Sequence, residues 1–177
     1  MKATGIVRRI DDLGRVVIPK EIRKVLKIRE GDPLEIFVER EGEVILKKYS
    51  QISEIEQNGK LVCETLHRLC GLSAVLCDGN EVKFAAGEKS GAITGHQLSS
   101  AFQQAAQKRR GYIVPQEEHI ELCADGEETV EAVFPIVSEG LVAGSIAALR
   151  REGIGFGESE QKLLEASAMF LSRQMEL

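Results

Sequence analysis

The chain has 177 residues, 43% of them hydrophobic and 29% charged, which is typical of a soluble globular protein with one ordinary domain or two small ones. No apolar run approaches the roughly 20 residues needed to span a bilayer, and no apolar signal region follows Met1. These features exclude a membrane protein, and we expect a cytoplasmic location with reduced thiols.

The net charge of −5 is unevenly distributed along the chain. Residues 1–50 have 12 basic and 9 acidic side chains, a net charge of +3, whereas the remaining residues have 11 and 19, a net charge of −8. A basic end on an acidic chain indicates a local anion-binding surface. On charge alone, however, a solvated charged face is the favoured interpretation.

The first fifty residues predict a β-β-α-β-β unit. A turn at Asp11–Gly14 joins the first two strands, and Pro19 suits the first turn of the helix. The predicted strands cover residues 4–10, 15–18, 34–38 and 44–46. Because so small a unit buries little core alone, we expect an obligate dimer that covers the strand edges.

The remaining residues predict an α+β domain, with an antiparallel sheet flanked by helices and long helices at both ends. The predicted helices cover residues 52–69, 96–109 and 158–175. The predicted strands cover residues 72–77, 81–86, 112–114, 120–122, 130–137 and 141–148, with a loop at 87–95. We therefore expect a first domain at 1–50, a linker at 51–56 and a second domain at 57–177.

The chain contains no recognisable catalytic or metal-binding motif. Its cysteines, Cys63, Cys70, Cys77 and Cys123, are not paired as C-x-x-C and have no histidine at ligand spacing, so buried small hydrophobes is the better interpretation. No P-loop, dinucleotide or haem motif occurs either. We expect no catalytic residues, no metal and no cofactor.

The N-terminal sequence KATGIVRRIDDLGRVVIPKEIRKVLKIREGDPLEIFVEREGEVILKKY resembles the DNA-binding domain of AbrB-type transition-state regulators. The match covers essentially all of residues 1–50 and is most specific from Gly5 to Pro19. The resemblance implies that two chains interleave their hairpins into one barrel-like dimer, which binds double-stranded DNA through basic side chains on one surface.

The resemblance also assigns DNA-contacting residues. The family's contacting arginines fall on Arg8, Arg15 and Arg23, and the next one falls on Lys24, where a lysine cannot make the forked contact of a guanidinium. Phosphate contact survives that change better than base reading does. Arg9 occupies a position that is basic in the family and is a further candidate, while Arg8 has the alternative role of covering a core edge.

The second half, including the closing segment FLSRQME, resembles the GAF domain found in two-domain sporulation regulators of this family. That resemblance implies assembly of dimers into a homotetramer through the second half, and activation or repression of developmental genes. It also implies a pocket for a small-molecule effector of unknown identity. We place that effector site at Gly87, Lys89, Ser90, His96 and Tyr112.

Two other functions stay open at this point. Some GAF domains are enzymes that reduce methionine sulfoxide with cysteines, and this half contains four cysteines. Antitoxins share the N-terminal fold, but they normally have a disordered tail, whereas residues 51–177 show regular apolar periodicity. A third interpretation of the second half is assembly without any ligand.

Overall fold

The computed structural model describes residues 5–26, 28, 30–40, 42–87, 90–153 and 155–176. The chain divides into two compact units, Met1–Tyr49 and Ser50–Leu177, here called unit 1 and unit 2. Helices combine with antiparallel sheets in the chain, and the predicted α+β class is confirmed. None of the helices in the described residues combines the length and apolar composition needed to cross a bilayer.

The described residues of unit 1 form one short helix and one hairpin. The elements are α1 (Lys20–Val25), β1 (Leu34–Val38) and β2 (Val44–Lys48). The two strands are antiparallel, with Leu34 opposite Lys48 and Val38 opposite Val44. The strands predicted at 4–10 and 15–18 are wrong for the single chain, because no described residue of either segment is in a strand. A strand is defined by a hydrogen-bonded neighbour, and alternation in the sequence does not say which chain supplies it.

Unit 2 is built on a five-stranded antiparallel sheet with the order β4-β3-β7-β6-β5. Its central hairpin joins the two nine-residue strands across Glu139-Gly140. The strands are β3 (Ser73–Cys77), β4 (Val82–Ala86), β5 (Tyr112–Ile113), β6 (Val130–Ser138) and β7 (Leu141–Leu149).

Helices and loops cover both faces of this sheet. The helices are α2 (Ile52–Cys70), α3 (Ser90–Ile93), α4 (Ser100–Ala106) and α5 (Glu158–Gln174). On one face α2 and α5 pack through Ile55, Leu66 and Leu164. On the other, α3, α4 and residues 114–123 form a second core around Phe102. Alternate residues of the central strands therefore contribute to two separate cores.

The helix predicted at 96–109 is shorter in the structure. The Oγ of Ser99 accepts a hydrogen bond from the N–H of Phe102 at 3.0 Å, so the helix begins at Ser100. Leu98 forms a bridge with Cys123 instead of joining the helix. Residues 120–122, predicted as a strand, form only isolated bridges, and α3 lies within the predicted loop 87–95. The predicted linker 51–56 is helical from Ile52.

The outer edge of β4 is covered, and so is the part of β6 that the short β5 does not pair. At β4 the N–H of Val82 donates to the carbonyl of His96 at 3.0 Å. At β6, beyond the short β5, Pro135 has no N–H, and the N–H of Val137 donates to the Oγ of Ser172 at 2.9 Å. The close approach of α2 to the sheet also requires Gly144, because a Cβ there would overlap the side chain of Ile52.

Candidate nucleic-acid interface and effector cavity

The five side chains predicted to contact DNA are all exposed on unit 1. Arg8 and Arg9 lie in the extended segment before the Asp11–Gly14 turn, Arg15 follows the turn, and Arg23 and Lys24 lie in α1. Arg15 is the one member of this set that forms an ion pair with a described residue. The other four positive charges are therefore available to an external anion.

The side chain of Asp11 organises the turn and holds Arg15. Its Oδ1 accepts hydrogen bonds from the N–H groups of Leu13 at 3.1 Å and Arg15 at 2.8 Å, and its Oδ2 accepts one from the Nε of Arg15 at 2.8 Å. The backbone and side-chain hydrogen bonds from Arg15 lower the pKa of Asp11 below its usual range, because they favour the carboxylate. The contact uses only the Nε of Arg15, and neither terminal nitrogen of the guanidinium has a partner among the described residues.

The short helix α1 presents the other two charges of the set. Pro19 precedes its first residue in an extended conformation, with φ −57° and ψ 148°. Arg23 and Lys24 lie in the last turn, where positive charge complements the helix dipole. Ile22 is half-buried, while Val25 and Leu26 remain exposed. The predicted apolar face of this helix is therefore largely uncovered within one chain.

Apolar side chains are exposed throughout the described part of unit 1. No described residue between 5 and 49 is buried, and the exposed fraction reaches 88% for Val7 and 76% for Val38. The exposed large hydrophobic residues of unit 1 are Ile6, Val7, Ile10, Leu13, Val16, Val17, Val25, Leu26, Ile36, Phe37, Val38, Val44 and Leu46. So large an apolar surface, on a unit rimmed by charge, is typical of an interaction surface.

The residues predicted to form an effector site are only partly brought together in unit 2. Gly87 lines a cavity at the end of the sheet where β3 begins and β4 and β7 end. His96 is exposed and covers the edge of β4 with its backbone. Tyr112 lies elsewhere, donating a hydrogen bond to the carboxylate of Glu118 at 2.6 Å. Lys89 and the side chain of Ser90 lie outside the described residues.

Both halves of the chain match known protein families. Residues 54–176 match the family described as "Stage V sporulation protein T C-terminal, transcription factor", and residues 7–54 match "Antidote-toxin recognition MazE, bacterial antitoxin". The chain is 43% identical over 178 residues to stage V sporulation protein T of Bacillus subtilis (strain 168), and the match covers 99% of each chain. The chain belongs to the stage V sporulation protein T family. The predicted function, transcription regulation, is thereby confirmed.

Each of two solved structures is similar to one part of the chain. The N-domain of the transcription factor AbrB is 63% identical, with 28% of this chain and 92% of that chain covered and a TM-score of 0.26. The GAF domain of the nutrient sensor CodY from Clostridium difficile is 14% identical, with 71% and 93% covered and a TM-score of 0.47.

Three of the four thiols of unit 2, those of Cys63, Cys77 and Cys123, are not in the environment of a reactive cysteine. Burial raises the pKa of Cys63 to about 12, and it also raises those of Cys77 and Cys123. The carboxylates of Glu64, Asp78 and Glu128 act in the same direction. A nucleophilic cysteine needs its pKa lowered by positive charge. The environment of these three thiols therefore opposes the methionine sulfoxide reductase alternative.

Two residues with defined roles in these sites escaped the sequence analysis. Asp11 stands four positions before Arg15, a spacing that could have indicated the ion pair. Arg151 lines the cavity and bonds the end of α2, some 80 positions earlier in the chain. No local pattern signals that second contact, since it depends on how the sheet places the two segments.

The environments of the thiols predict a clear order of alkylation. With a pKa of about 12, Cys63 has roughly one thiolate in ten thousand at pH 8. Iodoacetamide at pH 8 should therefore modify the half-buried Cys70 of the native chain first, with Cys63, Cys77 and Cys123 about a hundredfold slower or more. Peptide mass spectrometry over time measures these rates.

The urea-unfolded chain is the control, in which all four cysteines should react at similar rates. Modification of native Cys63 or Cys77 as rapid as that of Cys70 would contradict the assignment and restore the reductase alternative.

Proposed function

We propose that this chain binds double-stranded DNA through unit 1 as a dimer and activates or represses sporulation-type developmental genes in the cytoplasm. The observation that carries the proposal is the combination, within 45 residues, of exposed unpaired cations and an exposed apolar surface. A duplex supplies regularly spaced phosphates for the cations, and a second copy supplies cover for the apolar residues.

Geometry favours Arg15 as the residue that reads bases. Its Nε is fixed by Asp11, so the two terminal nitrogens are oriented for a bidentate contact with guanine or phosphate. Arg8, Arg9, Arg23 and Lys24 are exposed and make no competing ion pair with a described residue, which suits phosphate contacts that position the protein.

A second copy of this chain is the partner that unit 1 requires. Segments 5–10 and 15–18 belong to no strand within one chain, although the sequence predicts a strand over each of them. Interleaving the hairpins of two copies would pair these segments and bury the apolar set of unit 1. Each Å² of apolar surface covered in this way contributes about 25 cal/mol, which opposes the entropic cost of ordering the two hairpins.

We assign a second assembly surface to the helices of unit 2, which would join two dimers into a tetramer. On α5 the side chains of Leu163, Met169 and Phe170 are 43%, 65% and 49% exposed, and on α2 Leu61 and Leu69 are 53% and 75% exposed. Leu163 and Phe170 are seven residues apart and Leu61 and Leu69 are eight apart, so the members of each pair lie near one side of their helix. Joining two DNA-binding dimers raises apparent affinity through effective concentration.

Unit 2 in this proposal is an assembly and sensing domain and not an enzyme. The raised pKa values of its buried thiols and the family's description as transcription factors support that assignment. The antitoxin alternative shares only the N-terminal match, and the second half has two well-packed cores in place of a disordered tail.

Replacing Arg15 or Arg23 with alanine should weaken DNA binding without unfolding the protein. We expect Arg15→Ala and Arg23→Ala to weaken duplex binding about tenfold each at low salt, since both side chains are exposed. Each lost phosphate contact should also reduce the log–log salt slope by about 0.9. Mobility shifts across a salt series measure both quantities.

Lys162→Ala is the matched control, because it removes an exposed positive charge from α5 of unit 2. Parent-like affinity of both arginine variants, with the fold retained, would refute the interface.

Asp11 should help the protein to distinguish DNA sequences, because it holds the side chain of Arg15 in place. Asp11→Asn removes a negative charge near the duplex but also releases the Nε of Arg15. We therefore expect tighter binding to a shuffled duplex and a ratio of specific to non-specific affinity that falls about tenfold. Fluorescence anisotropy with a selected genomic site and its shuffled counterpart measures this ratio.

Asp12→Asn makes the same change of charge one residue along. If it lowers the affinity ratio as much as Asp11→Asn does, the effect is due to charge alone and the positioning role is wrong.

Assembly through α5 predicts a change in stoichiometry. A glutamate at position 170 would place a charge within the apolar stripe, so Phe170→Glu should convert a tetramer of the full chain into a dimer that retains unit 1 pairing. Sedimentation equilibrium gives the masses. Ser159→Glu, which adds the same charge at the exposed start of α5, should leave the tetramer intact. A parent that is already a dimer, or a Phe170→Glu tetramer, would contradict this assembly.

A further inference from the structure

The cavity that contains Gly87 has a volume of about 860 Å³, within the usual range for small-molecule sites. Its apolar wall is formed by Ala85, Ala86, Ile93 and Leu149, each at most 8% exposed. Its polar lining includes two adjacent arginines at the end of β7, Arg150 and Arg151. An apolar wall beside a guanidinium suits a ligand with one charged end.

The two arginines differ in their free hydrogen-bonding capacity. Arg150 is fully engaged: its Nε donates to Glu131 at 2.9 Å, and its terminal nitrogens donate to the carbonyls of Val114, Pro115 and Glu118. Arg151 donates only through one terminal nitrogen, to the carbonyl of Gly71 at 2.7 Å and that of Cys70 at 3.4 Å. Its Nε and other terminal nitrogen have no partner among the described residues.

The bonds that Arg151 does make hold the C-terminal end of α2. The last carbonyls of a helix lack intrahelical partners, and basic side chains often satisfy them. Gly71 ends the helix in the left-handed conformation, with φ 64°, and its N–H donates to the carbonyl of His67. Both His67 and Gly71 also line the cavity. Arg151 thus holds the end of α2 and also lines the cavity.

We propose that this cavity binds a small monocarboxylate with an apolar chain. The carboxylate would accept two parallel hydrogen bonds from the Nε and free terminal nitrogen of Arg151, and the chain would lie on Ile93 and Leu149. Charge selects against phosphates and polyanions, because Glu127 and Glu152 stand exposed in the lining and repel a second negative charge.

Occupancy of the cavity would tighten the clamp on α2. A guanidinium held on one side by a carboxylate loses motional freedom, so its bonds to the carbonyls of Cys70 and Gly71 persist longer. Because α2 is the first helix of unit 2 and follows unit 1 directly in the chain, the ligand would act on the element of unit 2 nearest to unit 1 in sequence. This regulatory role rests on the proposed function, whereas the binding site itself does not.

The test uses the full chain with butyrate, hexanoate and inorganic phosphate at constant ionic strength. Calorimetry should show affinity rising about fourfold for each added methylene that becomes buried. Hexanoate should bind at least tenfold more tightly than phosphate. Arg151→Gln should weaken hexanoate at least tenfold, whereas Arg68→Gln, which removes an exposed arginine of α2 outside the cavity lining, should not.

Arg151→Gln also removes the hydrogen bonds that hold the end of α2. Two further measurements separate this structural loss from the loss of ligand binding. The double variant Glu127→Gln/Glu152→Gln keeps every bond of Arg151, and it should bind hexanoate severalfold more tightly than the parent does. Hydrogen exchange of residues 67–71 should slow on adding hexanoate to the parent but not to Arg151→Gln.

Equal binding of phosphate and hexanoate, or an unchanged affinity in Arg151→Gln, would overturn the proposal. Mobility shifts without ligand on the same samples report DNA binding independently. If the protein binds DNA normally but does not bind hexanoate, the result counts against the proposed cavity site and not against the proposed function.

Discussion

A 49-residue unit with one hairpin and six helical residues cannot enclose an interior of its own, and most features of unit 1 follow from that limit. Its apolar side chains are too many for a solvated surface, yet within one chain none of the described residues is buried. In the proposed dimer, the same residues find cover in another copy. Apolar and basic side chains share the segments between 5 and 18, so the pairing that buries the apolar set would also position the basic set.

Unit 2 meets the same requirement in the opposite way. Its five-stranded sheet contributes to two cores, and Phe102, Leu122 and Leu164 are fully buried within a single chain. Such a domain has an interior of its own, and in the proposed tetramer the exposed apolar residues of its helices would serve assembly. A folded second half also provides what a small DNA-binding unit lacks, namely a cavity large enough for a ligand.

Elements with strong apolar periodicity and clear turn residues at their ends were predictable from the sequence. The helices α2 and α5 and the long hairpin of β6 and β7 lie within a residue or two of their predicted bounds. The strands at 4–10 and 15–18 failed because their pairing is not determined within one chain. The helix at 96–109 failed at its start because Ser99 caps it and residues 95–98 cover the edge of β4.

The candidate sites divide in the same manner. The exposed positions of Arg8, Arg15 and Arg23 follow from local alternation and a family motif, so the sequence was sufficient to name them. The cavity residues come from distant segments, and only the antiparallel order of β3 and β7 brings Arg151 to the end of α2. The fine geometry at Asp11, with three hydrogen bonds to one carboxylate, likewise required coordinates.

The covered edges of the unit 2 sheet have a consequence for newly made chains. In the proposed dimer, the segments within residues 5–18 pair with a second copy, and an unassembled chain would leave them without a strand partner. An open sheet edge elsewhere in the same chain would compete for them. Pro135, the hydroxyl of Ser172 and the backbone of His96 deny them that docking place. In the proposed assembly, correct pairing of unit 1 would thus benefit from covered strands in unit 2.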